Sequence, residues 1–201
     1  MMKRILFLMC LVAAIGANAQ EKMIIKETFE NNRLGWDECF EKDYSCSLGN
    51  GCLELQNKKD GWTVWNSTEL PVSPDANFKI TSRILVPKLN DTYFFGILFN
   101  YEDENNYSSF MVSEKRFRFY NKTNGTNNLS RLNSIILNSG RNKEVVIEME
   151  KRGDKLTFSV DGMEALKMTK RIDYSTFGFI VNGANTIKVL EVDIEYDVYE
   201  D

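Results

Sequence analysis

The chain has 201 residues, with 29 acids against 25 bases, a net charge of −4 and no histidine. An acidic balance without a basic stripe argues against phosphate-backbone binding, so no nucleic-acid partner is expected. The missing histidine removes Ser–His and Cys–His nucleophile pairs and histidine-based metal centres, leaving acid–base chemistry to carboxylates, lysine or tyrosine.

The chain opens on Lys3 and Arg4, an apolar stretch from Ile5 to Ile15, and Ala17-Asn18-Ala19 as an A-x-A cleavage site. This pattern predicts a secretory signal peptide, because a bilayer span needs about 20 apolar residues. Residues 1–19 are therefore expected to be the signal peptide and residues 20–201 a single β-sandwich domain. The product is expected to be exported to the periplasm or outside the cell, and not to span the membrane. In an oxidising compartment Cys39, Cys46 and Cys52 allow one disulfide and leave one thiol over. The segment YSCSLGNGCLEL reads as a hairpin turning at Gly49-Asn50-Gly51, which places Cys46 and Cys52 on neighbouring strands. Cys39 lies close enough to compete, and a bridge that uses Cys52 is favoured, with Cys46–Cys52 a candidate pairing. With no CxxC pair and no histidine, no zinc site is expected.

Further along, about fourteen short β segments follow, and no amphipathic helical pattern. They include Met23–Phe29, Cys52–Gln56, Trp62–Asn66, Phe78–Val86, Tyr93–Asn100, Tyr107–Val112 and Arg116–Asn121. After an Asn-rich turn over residues 121–128 come Ile135–Leu137, a hairpin, Thr176–Val181 and a long final strand from Ile187 to Tyr199. The hairpin is the most legible stretch. Val145, Ile147 and Met149 alternate with polar residues, Arg152-Gly153-Asp154 reverses the chain, and Leu156, Phe158 and Val160 resume the alternation before Asp161-Gly162. Period-two alternation sends every second side chain into a core, and Gly supplies the positive backbone angles of tight turns. Many short strands with turn signals between them predict an all-β sandwich or jelly roll.

In order, the pieces ETFENNRLGW, SLGNGCLEL, FFGILFNYEDENNYSSFMV, KEVVIEMEKRGDKLTFSVDG, FGFIVNG and IKVLEVDIEYDV resemble the concanavalin A-like lectin/glucanase superfamily. The likeness is to its laminin-G-like and DUF1080-like secreted modules of Bacteroidetes type. The resemblance implies a two-sheet antiparallel jelly-roll sandwich whose curved sheet often faces ligand. Members include glycan-binding modules, adhesive domains and hydrolases, so the fold leaves function open.

Within that frame Trp36 of the LGW run is expected in the core. Trp62 and Trp65 are expected on opposite faces of one strand, with one of them exposed as a flat platform for a sugar ring. Asn66 and Glu69 would supply hydrogen bonds to its hydroxyls. The catalytic alternative is Glu191-Val192-Asp193-Ile194-Glu195, which resembles the ExDxE signature of family 16 glycoside hydrolases. That resemblance makes Glu191 the nucleophile and Glu195 the acid/base of a retaining enzyme. Residues two apart share a strand face, and like-charge repulsion from Asp193 is expected to raise the pKa of one Glu. Family 16 enzymes carry the signature mid-chain, whereas here six residues follow Glu195, and the favoured reading is a solvated strand face. Arg152-Gly153-Asp154 is read first as a turn and second as an adhesive motif. The Tyr101–Asn106 loop offers oxygen ligands such as related modules use for Ca²⁺, with a solvated acidic turn preferred and no cofactor expected. The leading function is a secreted non-catalytic module that binds a glycan or surface polymer. A carboxylate-dependent glycoside hydrolase is second, and a structural or adhesive envelope protein third.

Overall fold

Alternating apolar residues fold this chain into strands alone: a computed structural model describes residues 22–137 and 141–198 and contains no helix among them. The signal peptide expected over residues 1–19 lies outside the described residues. One sheet holds nine strands: β1 (Lys22–Glu27), β2 (Cys39–Phe40), β3 (Tyr44–Gly49), β4 (Cys52–Asn57), β6 (Phe78–Lys88), β11 (Arg141–Arg152), β12 (Lys155–Val160), β13 (Met163–Thr169) and β15 (Asn185–Asp197). Its order is β13-β12-β11-β6-β15-β4-β3-β2. The long β15 carries two partners on one edge, with β4 along residues 185–189 and β1 along residues 192–197. The second sheet holds six strands: β5 (Thr63–Glu69), β7 (Phe94–Asp103), β8 (Asn106–Val112), β9 (Arg116–Thr123), β10 (Thr126–Ser134) and β14 (Thr176–Asn182), in the order β10-β9-β8-β7-β14-β5. Every pairing is antiparallel, as the expected jelly-roll sandwich requires.

Asx-Gly pairs set the tight hairpins. Asn50-Gly51, Asn124-Gly125 and Asp161-Gly162 each place two successive residues at positive φ, the geometry of two-residue turns that match strand twist. The core between the sheets is aromatic. Phe158 stacks on Phe110 at 4.7 Å and lies 5.5 Å from Phe99 and 6.0 Å from Phe119. Trp36 occupies the core as expected, 5.4 Å from Phe179. Buried Glu27 fixes the loop leading to it by accepting the backbone N–H of Phe29 (2.7 Å) and of Leu34 (2.8 Å).

Three sequence expectations need correction. Asn124-Gly125 alone makes the turn in the Asn-rich segment, and the chain continues as β10, which is exposed at all nine positions. An edge strand with no buried face has no alternation to read. Ile135–Leu137 follows β10 as an extended connection in which the Ile135 and Leu137 N–H groups donate to Lys115 and Glu114 carbonyls. The Cys46–Cys52 disulfide is also overturned. A two-residue turn at Asn50-Gly51 pairs Gly49 with Cys52, so Cys46 faces Leu55 across the β3–β4 ladder and Cys39 across the β2–β3 ladder. All three thiols are free. The Cys52 thiol donates to the Gly49 carbonyl at 3.2 Å, and burial pushes the Cys46 thiol up to about 12.

Candidate functional site

Antiparallel sheets commonly keep one wet face, but β7, β8 and β14 are apolar on both. Phe95, Ile97 and Phe99 enter the sandwich core, while their neighbours Phe94 and Leu98 point the other way. There they join Tyr107, Met111 and Ile180 in a second apolar cluster, every member of which is buried. Trp65, Tyr101 and Tyr120 pack on this cluster. The Trp65 ring lies 5.7 Å from Tyr107 and 6.3 Å from Tyr101. The outer face of the six-stranded sheet is therefore an aromatic floor. Strand spacing requires glycine at two points of it. A Cβ on Gly96 would meet the Phe110 carbonyl and come within 2.8 Å of Met111 Cα, and one on Gly178 would come within 2.8 Å of Ser67 Cα.

Two cavities open on this floor, each of about 360 Å³, and the Tyr107 ring lines both. The first is bordered by Arg118, Tyr120, Ser109, Asn127, Thr63 and Asn182, and no carboxylate lines it. The Asn182 amide donates to Thr63 Oγ1 at 2.7 Å. The Ser109 hydroxyl is buried with no hydrogen-bond partner in the protein. The second cavity mixes Asn100, Asn106, Lys122 and Lys170 with Glu102 and Asp173. The Arg118 guanidinium carbon lies over the Phe94 ring, 3.8 Å from its centroid, and 5.2 Å from the centroid of the Tyr120 ring. Burial pushes its pKa below the ordinary arginine value, and Arg116 adds to the effect. Guanidinium nonetheless stays protonated in proteins. Flat rings beside amide, hydroxyl and guanidinium donors can hold a pyranose by its apolar face and its hydroxyls at once.

Of the residues expected to bind ligand, Trp65 and Glu69 lie on this outer face and Trp62 beside its edge. Strand β5 starts at Thr63, so Trp62 belongs to the preceding turn, 46% exposed, with the Lys59 ammonium 3.8 Å from its ring. Asn66 is on the opposite side. Adjacent strand residues face opposite ways, so Asn66 points inward, where its amide donates to the Asp37 carbonyl (2.8 Å) and Cys46 Sγ (3.0 Å). It cannot partner Trp65 on the outer face.

Glu191, Asp193 and Glu195 do share one face, but it is the outer face of the nine-stranded sheet. A bulge at Leu190 resets the parity of β15 there, putting Val192 and Ile194 in the core. Glu191 accepts from Lys26 at 2.7 Å and lies 3.5 Å from Arg83. The Lys26 hydrogen bond holds the Glu191 carboxyl below its usual range, while burial and then the Glu191 charge raise Asp193. Repulsion thus acts on the middle acid, where the sequence predicted a raised Glu. The Arg152-Gly153-Asp154 turn is fastened down, Arg152 to Glu150 (3.0 Å) and Asp197 (3.3 Å) and the Gly153 N–H to Asn77 (2.8 Å). In the Tyr101–Asn106 loop the Asp103 carboxylate accepts the Asn105 N–H at 2.7 Å and the Asn106 amide at 3.0 Å. Among the described residues no cluster of three or more acids or cysteines is placed to hold a metal.

Tyr101, Tyr107, Tyr120 and Arg118 were missing from the sequence reading of the site. Two signals could have found them: the two-sided apolar runs of β7 and β14, and the outward series Arg116, Arg118, Tyr120, Lys122 along β9.

No protein-family model matches the chain, and no curated protein matches it by sequence. Solved structures do match by shape. The carbohydrate binding module CBM66 from Bacillus subtilis is 17% identical, over 78% of this chain and 94% of its own, at a TM-score of 0.58. The catalytic domain of an endo-1,3-beta-glucanase (laminarinase) from Thermotoga petrophila is 10% identical, over 90% and 100%, at 0.59. A Bacillus subtilis protein with a galectin-like fold is 10% identical, over 88% and 96%, at 0.61. The fold is a two-sheet antiparallel jelly-roll sandwich. At these identities the likeness speaks for the fold alone.

Proposed function

We propose that this protein is a non-catalytic glycan-binding module that holds its ligand on the outer face of the six-stranded sheet. The observation that carries the reading is the aromatic floor with two polar-rimmed cavities meeting at Tyr107. Trp65, Tyr101 and Tyr120 lie half-buried over the second apolar cluster, and the part of their rings left open is what a ligand would cover. The jelly-roll neighbours, among them a carbohydrate binding module and a glucanase catalytic domain, support a saccharide as the cover. Glycosidases flank the scissile bond with two carboxyl groups; none of the described residues lining the first cavity is an acid, which favours binding there, while the second cavity carries Glu102 and Asp173. The acids of the ExDxE run stand on the other sheet, Glu191 and Asp193 in ion pairs. The order of sequence features supports a laminin-G-like or DUF1080-like type, and the leader over residues 1–19 supports export.

Glycan-array screening followed by calorimetry tests the reading. The wild type is expected to bind a saccharide family, and Trp65→Ala and Tyr120→Ala to weaken that binding. Removing an aromatic platform that contributes about 1.5–3 kcal/mol corresponds to about 10- to 100-fold in Kd. Unchanged binding in both variants would move the site elsewhere. Turnover of a β-glucan that disappears in Glu191→Gln would overturn the non-catalytic reading.

A further inference from the structure

The glycan reading deepens at Arg118, and the role of that residue in binding rests on the same reading. The guanidinium borders the first cavity, its Nε is buried without a hydrogen-bond partner, and no carboxylate lines the cavity with it. Its other contacts are the Phe94 and Tyr120 rings, the Met111 sulfur at 3.9 Å and the Tyr120 hydroxyl, a neutral partner that leaves the charge without an acid. Several other arginines are paired with acids. On the same strand face Arg116 meets Asp91 at 3.1 Å, and on the other sheet Arg83 meets Glu144 at 3.0 Å. A cation–π contact offsets only part of what a charge loses on leaving water, and buried charges are otherwise paired. The Ser109 hydroxyl, in the same cavity, is a second buried polar group without a partner.

We propose that Arg118 is the anchor for an anionic saccharide, a sugar residue carrying one oxyanion group, with a uronate carboxylate as the leading candidate. The planar fork of guanidinium donors matches a carboxylate with two parallel hydrogen bonds, and Ser109 can donate to the same group or to a neighbouring ring oxygen. The guanidinium carbon already sits over Phe94, 3.8 Å from the ring centroid, before ligand arrives. The charge balance limits the class. One cation in the first cavity of a protein with a net charge of −4 suits one acid group at that position. A polymer densely charged along its length would be repelled by the rest of the surface.

The test uses the full exported chain on an array of neutral, uronate-containing and sulfated oligosaccharides. Calorimetry then compares the best acidic ligand with a partner lacking the charge, the methyl ester for a uronate and the desulfated sugar for a sulfate. Acidic glycans are expected to lead, and the uncharged partner to bind at least about tenfold more weakly. In Arg118→Gln that ratio is expected to fall toward one. A lead by uronates assigns the oxyanion as carboxylate, and a lead by sulfated sugars assigns it as sulfate; either supports the anchor. Preference for neutral glycans, with charged and uncharged partners bound equally by the wild type, would overturn the anchor and leave glycan binding standing. Silence across the whole array would overturn both. The wild-type comparison needs no variant, so it holds even if Arg118→Gln fails to fold.

Discussion

The two outer faces of this sandwich are built by the same alternation and end as opposites. On the nine-stranded sheet charges are answered by near neighbours: Lys26 by Glu191 at 2.7 Å, Arg83 by Glu144 at 3.0 Å, Lys188 by Glu54 at 3.0 Å. On the six-stranded sheet the equivalent positions hold Trp65, Leu98, Tyr107 and Ile180, and Arg118 has no acid beside it. Exposed ion pairs contribute about 0–1 kcal/mol each, so the charged face adds little to stability. On the apolar face half-buried Trp65, Tyr101 and Tyr120 cover a cluster separate from the core.

The comparison breaks hardest at Gly96. The six-stranded sheet can be as tightly drawn as it is only because β7 presents no Cβ there. In Gly96→Ala the new methyl would meet the Phe110 carbonyl and Met111 Cα, forcing β7 from β8 beneath the aromatic floor. Overpacking against backbone cannot relax by a rotamer change, so a loss of about 3–5 kcal/mol is expected. Urea melts read it, and a variant of wild-type stability would show that the floor is not drawn tight at this point.

The contrast between the faces also explains which features are legible in the sequence. The hairpin of β11 and β12 can be read almost to the residue, because one face is core and the other is water. The aromatic core, the Trp36 plug and the Asx-Gly turns follow from equally local rules. The site is half legible. Trp65 can be named as a platform, but its partners come from β7, β8 and β9, and only sheet order brings those strands beside β5 and β14. Asn66 is misplaced by parity, and Cys52 by the register of a two-residue turn. Strand β10 is invisible because it buries nothing. The Glu191 run draws attention as a motif, while its companions Lys26 and Arg83 reach it through long-range pairing of β1 and β6 with β15.

A crossed pair of variants sharpens the comparison at an intermediate level. Trp65→Ala is expected to weaken glycan binding about 10- to 100-fold while the folded state persists. Glu191→Gln is expected to leave binding unchanged and to lower the melting temperature slightly at neutral pH. Lys26 holds the folded pKa of Glu191 below its unfolded value of about 4.3. The stability this supplies is present above that unfolded value and is lost as pH falls through the folded pKa. The melting difference between wild type and Glu191→Gln should therefore narrow as pH is lowered below about 4. Loss of glycan binding in Glu191→Gln would erase the functional distinction between the two faces.

The smallest effect expected has the opposite sign and comes from the next residue on the same face. Asp193 lies 3.7 Å from Lys26, yet burial and the adjacent Glu191 charge raise its folded pKa. An acid with a raised pKa weakens the fold wherever it is ionised. That penalty is complete above the folded pKa and disappears as pH falls through it toward the unfolded value of about 3.9. Asp193→Asn should therefore raise the melting temperature slightly at pH 7, converge with the wild type in acid, and leave glycan affinity untouched. Glu191 and Asp193 would then pull stability in opposite directions from one strand face, with Lys26 shared between them. Such near-cancellation is what a solvated charge array produces. A catalytic pair would instead show Asp193→Asn abolishing an activity, and a net stabilising ion pair would show Asp193→Asn lowering the melting temperature at neutral pH. Calorimetric melts of wild type, Glu191→Gln, Asp193→Asn and the double variant across pH 3 to 8 distinguish the three.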